Sequence, residues 1–287
     1  MISNTNNIHE TAKIHPNVTI GEFNNIGANV KIEILGNNPN ARVCIGDNNI
    51  INDNTRIFVH GELFIGDWNV FHNDMLIMAE DHIHIGHNGW FGQNTILDGA
   101  GGLIIGNGVR VGMYSQIWTH VASGEQLEGC ILYAKRGTEI KDDVWLVGSC
   151  YVGSGIRLEK RSTVLINSVV TKDTIEGGAY SGSPAKLMEK VKFYVPKTIE
   201  QKFDMLINWL GEFVKNNSQY KLELSAEQIT IINLINNDIT IFAKSSNDNK
   251  PGVFYLEDKT FNKTNSLSER EIYKFLYNNK ARFIPNK

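Results

Sequence analysis

The sequence predicts a mainly β fold: a triangular parallel β-helix solenoid followed by a small α+β domain. Three observations carry that expectation. Large aliphatic residues stand six apart at Ile8, Ile14, Ile20, Ile26 and Ile32. Ile-Gly pairs then recur every twenty residues at Ile45, Ile65, Ile85 and Ile105, and the strict six returns at Ile140, Leu146, Val152, Leu158, Val164 and Val170. Beyond Lys186 the period ends and helical spacing replaces it.

An amphipathic helix would repeat its apolar face at intervals of three and four, which none of these columns does. A six-residue step describes a short strand and a corner, with one large side chain turned inward. Three steps close a coil. Coils stacked at about 4.8 Å cover each other's edges and pair their backbones along the stack. The twenty-residue coils are three such steps plus two residues at one corner, since their columns continue through Ile51, Phe71, Phe91 and Val111, and through Ile57, Ile77, Leu97 and Ile117. The positions two before each column agree: Val43, Leu63, Ile83 and Leu103 are apolar, and Thr55, Met75, Thr95 and Ser115 are mostly small enough for an inward corner.

The solenoid domain is expected over residues 1–190 and the second domain over 191–287. The second begins with a helix over 197–215, whose Phe203, Leu206, Ile207, Leu210, Phe213 and Val214 share one face. Strands follow at 229–232 and 238–243, joined at Asn236-Asn237, and a third at 252–256. Ser268-Glu269-Arg270-Glu271 resembles a capping box opening a last helix through about Asn279. This domain is expected to pack on an end or edge of the solenoid and blunt exposed strands. A part in binding substrate or partner is the alternative.

Lys and Arg total 28 against 31 Asp and Glu, a net charge of −3. That balance argues against nucleic acid or anionic lipid as a partner. No apolar run is long enough to span a membrane. The opening Met1-Ile2-Ser3-Asn4-Thr5-Asn6-Asn7 lacks the basic and apolar regions of a secretory signal. Cys44, Cys130 and Cys150 are an odd count without paired spacing, as in a reducing compartment. A cytoplasmic location is therefore expected.

The motifs Val144-Trp145-Leu146-Val147-Gly148-Ser149, Ser168-Val169-Val170-Thr171-Lys172-Asp173 and Ser181-Gly182-Ser183-Pro184-Ala185-Lys186 follow one another at the solenoid's end. In order and spacing they resemble the coenzyme A end of the hexapeptide-repeat acyltransferases, and most closely the bacterial surface-sugar O-acetyltransferases. The resemblance covers about residues 8–190. It implies left-handed winding, a homotrimer with sites between subunits, and acetyl-CoA as the donor substrate. Trp145 and Gly148 match the motif that lines the pantetheine arm. Ile166, Thr171 and Lys172 match the segment that holds the arm and its diphosphate end, and Lys186 matches a basic residue near the nucleotide phosphates. Outward Ile50, Trp68, Val70 and Trp90 give one face an apolar patch that a trimer would cover.

His120 is the expected general base. It ends the last twenty-residue coil in Ile117-Trp118-Thr119-His120, before an irregular stretch from Val121 to Gly137. One coil earlier the same corner reads Asp98-Gly99-Ala100-Gly101-Gly102, which is expected to leave an open shelf beside the imidazole. Glu80, two coils back, stands at about twice the 4.8 Å rung spacing, too far for a direct hydrogen bond. A neutral imidazole with a pKa near about 6.5 takes a proton from a sugar hydroxyl as that hydroxyl attacks the thioester. The leaving thiolate, with a pKa of about 8.5 by analogy with cysteine, needs no strong acid, so transfer is direct. In related sugar acetyltransferases an acidic residue one coil below the histidine often contacts the acceptor; here that column holds Ala100, and Asp98, two residues earlier, is the substrate-binding candidate. Cys150 lies two before an inward column and reads as core packing rather than as a nucleophile.

Three other readings stand beside this one. N-acetylation of an amino sugar uses the same machinery. A β-helical zinc enzyme of the carbonic anhydrase type would draw on His82 and His87, five apart with His84 between them, but has no evident third ligand, since His60 and His72 occupy other columns. A non-catalytic binding solenoid would use Trp68, Trp90 and Tyr114 as contacts. The solenoid begins by Ile8, which disfavours subfamilies with N-terminal domains or helices and leaves capsule, sialic acid or lipopolysaccharide units as expected acceptors.

Overall fold

In the computed structural model, which describes residues 2–122, 124–245 and 250–286, the chain divides into two compact units, Met1–Tyr194 and Val195–Lys287. The first is a three-sided parallel solenoid. Successive short strands go in turn to a first face of ten strands, a second of eight and a third of seven, and each pairs in parallel with the one a coil away, except the last on face 1, Lys186–Leu187, which turns back antiparallel on Ala179–Ser181. The six-residue columns are the register of these faces. Ile26, Ile51, Phe71, Phe91, Val111, Leu146 and Val164 stack on face 1. Ile32, Ile57, Ile77, Leu97, Ile117, Val152 and Val170 stack on face 2. All of these are at most 1% exposed and form one continuous core. The Phe71 and Phe91 rings stack at 4.9 Å.

The extra two residues of each long coil fall at the edge between faces 2 and 3, where strands such as Arg56–Val59 and Glu62–Ile65 run to four residues. The edge between faces 3 and 1 carries side-chain ladders that no apolar pattern reveals. Asn24, Asn49 and Asn69 each accept, through Oδ1, the backbone N–H of the residue one coil up, at 2.7–2.8 Å. A parallel ladder runs through Asp47, Asp67, His87, Asn107 and Asp142. These oxygens and one imidazole nitrogen satisfy corner amides that no neighbouring strand reaches.

The expected apolar patch on face 1 is smaller than the sequence implies. Trp68 and Val70 are each only 8% exposed, so they are already covered within the chain. Exposed apolar side chains gather instead along the edge between faces 1 and 2, at Met113, Tyr114, Trp145, Tyr151 and Ile166.

The second unit opens with helix α1 (Ile199–Asn216), capped by a reciprocal Thr198–Gln201 capping box and burying Phe203, Leu206, Leu210 and Phe213. A six-stranded sheet follows, including a strand at Tyr220–Leu224 that the sequence pattern did not signal. Helix α2 (Leu267–Leu276) is capped by Ser266, whose hydroxyl accepts the Glu269 N–H, and not by Ser268, which is buried. Ser268 instead bonds Asn233 and Asp238, so the expected box sits two residues too late. No helix among the described residues is long and apolar enough to cross a membrane.

Candidate active site

His120 leaves the solenoid at the edge between faces 2 and 3. Strand Gln116–Ile117 holds its place on face 2, and the chain then departs through an antiparallel hairpin formed by His120–Ala122 and Tyr133–Lys135. The stretch expected to be irregular therefore has a stem of paired strands. Lys135, directly opposite His120, reaches back to Glu80 at 2.7 Å. That bond holds its ammonium above the usual range and ties the hairpin stem to a coil below.

Asp98 ends the strand Ile96–Asp98, one coil under His120, and is 2% exposed. Its Oδ2 accepts the Thr119 backbone N–H at 2.8 Å and lies 2.8 Å from both the Thr119 hydroxyl and His120 Nδ1. The Thr119 hydroxyl itself accepts the Gly101 N–H at 2.8 Å. Because a carboxylate only accepts, this contact makes Nδ1 the protonated nitrogen and leaves the Nε2 lone pair free. The imidazole side chain is 35% exposed, and the edge of Trp118 packs against its ring at 5.7 Å.

This corrects two expectations. Asp98, expected to touch the acceptor, is buried beneath His120, and its Oδ2 is engaged by Thr119 and His120. The glycine corner is also no open shelf. A methyl group at Gly101 would lie 2.3 Å from the Thr119 carbonyl, and one at Gly99 would lie 2.4 Å from Ile83. Those glycines admit neighbouring chain rather than ligand. The register held a clue to Asp98: His120 follows it by one twenty-residue coil plus two positions.

The expected donor residues divide between two edges. Trp145 is exposed on face 1, with Gly148 and the 61%-exposed Ile166 beside it on the corners leading to face 2. Thr171 and Lys172 are exposed at the edge between faces 2 and 3, the same edge as His120 and nearer the C-terminal end. Lys186 is exposed in a short strand that turns back antiparallel on Ala179–Ser181. Cys150 is fully buried, and burial pushes its thiol up, away from the thiolate a nucleophile needs. His82, His84 and His87 do not converge. His84 Nε2 sits 2.6 Å from Glu62, His82 lies beside Asp81, and His87 Nδ1 accepts the Asp67 N–H.

No family model matches the chain. Over 114 residues, 38% of this chain, the sequence is 33% identical to YJL218W of Saccharomyces cerevisiae, an acetyltransferase by name only. The match spans 57% of that relative, little more than half its length. Among solved structures, the polysialic acid O-acetyltransferase OatWY is similar with a TM-score of 0.43 at 19% identity, over 67% of this chain and 88% of that one. The polySia-specific acetyltransferase NeuO gives 0.42 at 15% identity, over 74% and 98%. The hexapeptide-repeat acetyltransferase VCA0836 of Vibrio cholerae O1 biovar eltor, complexed with acetyl coenzyme A, gives 0.32 at 18% identity, over 62% and 72%. These three structures are acetyltransferases by description.

Proposed function

We propose that this chain is an acetyl-CoA-dependent O-acetyltransferase of the hexapeptide-repeat family, acting on a hydroxyl of a bacterial surface sugar. The contact between His120 Nδ1 and the buried Asp98 carboxylate carries the reading. It fixes the tautomer whose Nε2 is a proton acceptor, and it stabilises the imidazolium once the proton arrives. The acceptor hydroxyl loses its proton to Nε2 as its oxygen attacks the thioester carbon. The tetrahedral intermediate then collapses and expels the coenzyme thiolate, with no acyl-enzyme on the way. Cys150, buried and uncharged, takes no part.

Donor binding falls to Trp145, Gly148, Ile166, Thr171, Lys172 and Lys186, with the lysines as point charges for phosphate. Their division between two edges supports a homotrimer of left-handed solenoids, in which one subunit's edge at Trp145 and Ile166 meets its neighbour's edge at His120. Replacing His120 by Ala tests the reading. Acetyl-CoA binding by calorimetry should persist while turnover on a panel of hydroxyl and amino sugars falls about a hundredfold or more. Near-normal turnover at saturating substrate removes His120 from the mechanism, and activity on amino sugars alone replaces O- by N-acetylation.

A further inference from the structure

A cavity of about 430 Å³ opens on face 3, beside the stem of the His120 hairpin. Its size is that of a small-molecule site. The register explains its shape. His82, Gly102, Gly137 and Gly155 occupy one outward column on four successive coils, so three coils in a row present no side chain there. The result is a trench. Ile104, Glu139 and Arg157, the next outward column, form one wall. The His82 ring closes one end, where a methyl on Gly102 would come within 2.5 Å of it.

Two of the three glycines answer a backbone need: φ is +90° at Gly102 and +75° at Gly155. Gly137 does not. Its φ lies outside the left-handed region, and a Cβ there would sit 3.4 Å from its nearest neighbour, an ordinary contact. Glycine costs backbone entropy relative to alanine, and folding does not require it at this position. What it does provide is an unobstructed trench floor.

We infer that the trench is a subsite for an uncharged pyranose chain, the sugars that flank the reacting unit of the acceptor. This rests on the sugar-acceptor reading above. The wall chemistry selects the class. Glu139 is already bridged by Lys141 and by Arg157 Nε at 3.1 Å, His82 is held by Asp81 at 3.2 Å, and the lining carboxylate of Asp173 accepts the Arg157 backbone N–H at 2.8 Å, so the trench carries both signs of charge and no single-sign patch for a charged ligand. Hydroxyl groups can join such a network as donor and acceptor at once, without stripping either ion of its partner. Ile104, 45% exposed against the trench, presents an apolar surface suited to the C–H face of a sugar ring.

The test is equilibrium binding to a printed array of neutral and acidic bacterial oligosaccharides, without acetyl-CoA. The parent protein is compared with Gly137→Leu, which fills the trench, and with Ile104→Gln, which removes the apolar wall from an exposed position. Binding to neutral chains that falls tenfold or more in both variants, with thermal unfolding unchanged, supports the inference. Binding to acidic chains only, no binding to any chain, or a Gly137→Leu protein that binds like the parent overturns it. Glycan binding is read without transfer, so loss of the acyltransferase reading and loss of this one give different results.

Discussion

Asp98 serves His120 by being buried. Its Oδ2 gathers the Thr119 N–H, the Thr119 hydroxyl and the imidazole, which leaves the ring little freedom to turn. In the proposed mechanism the side chain is therefore a positioning group. Asp98→Asn should lower kcat about a hundredfold or more, because an amide can turn its N–H₂ toward Nδ1 and stabilise the opposite tautomer. The acceptor KM should hardly move, whereas a residue that touched the sugar would raise it. A steady-state split between kcat and acceptor KM decides between the two. His120 was legible in the sequence because it ends a coil at a break in the period. The role of Asp98 was not, because a two-residue offset decides whether a carboxylate reaches substrate or histidine.

The edge ladders show how element stability is divided between apolar columns and buried amides. Asn69 is fully buried, accepts the Gly89 N–H at 2.7 Å and donates to the Gly86 carbonyl at 3.0 Å. Asn69→Ala would leave both backbone groups without their partner at a buried corner. At about 1–3 kcal/mol for each unsatisfied group, the solenoid should lose about 2–6 kcal/mol, seen as a lower urea midpoint for its β circular-dichroism signal. An unchanged midpoint would mean that water replaces the side chain. In the second unit the cap of α2 went to Ser266 because Ser268 is drawn inward by Asn233. Local sequence offers both serines a helix start, and tertiary burial selects one.

For the whole molecule, the proposed site is incomplete in one chain, since its donor residues lie on two edges of a prism. The exposed Met113, Tyr114, Trp145, Tyr151 and Ile166 form an apolar stripe along one of those edges. Leu127, Ile131 and Leu132 are exposed between the two strands of the hairpin that starts at His120. Surfaces of this kind are normally covered by a partner. Multi-angle light scattering at micromolar concentration should return three times the 32.2 kDa chain mass. A monomer would contradict the inter-subunit donor site and leave the His120 chemistry to be explained within one chain.

The sequence by itself determined the solenoid, its inward columns, the edge at which the long coils carry their extra residues and the place of His120. Each is written in a one-dimensional period, and stacking copies that period into space without further information. Only the tertiary structure decided what Asp98 touches, that Trp68 and Val70 are covered, that the glycine corner beneath His120 is filled while the Gly137 trench is open, and which serine caps α2. These depend on contacts between residues twenty or more positions apart. A shift of one or two residues there changes which group lies opposite, and no repeat length records it.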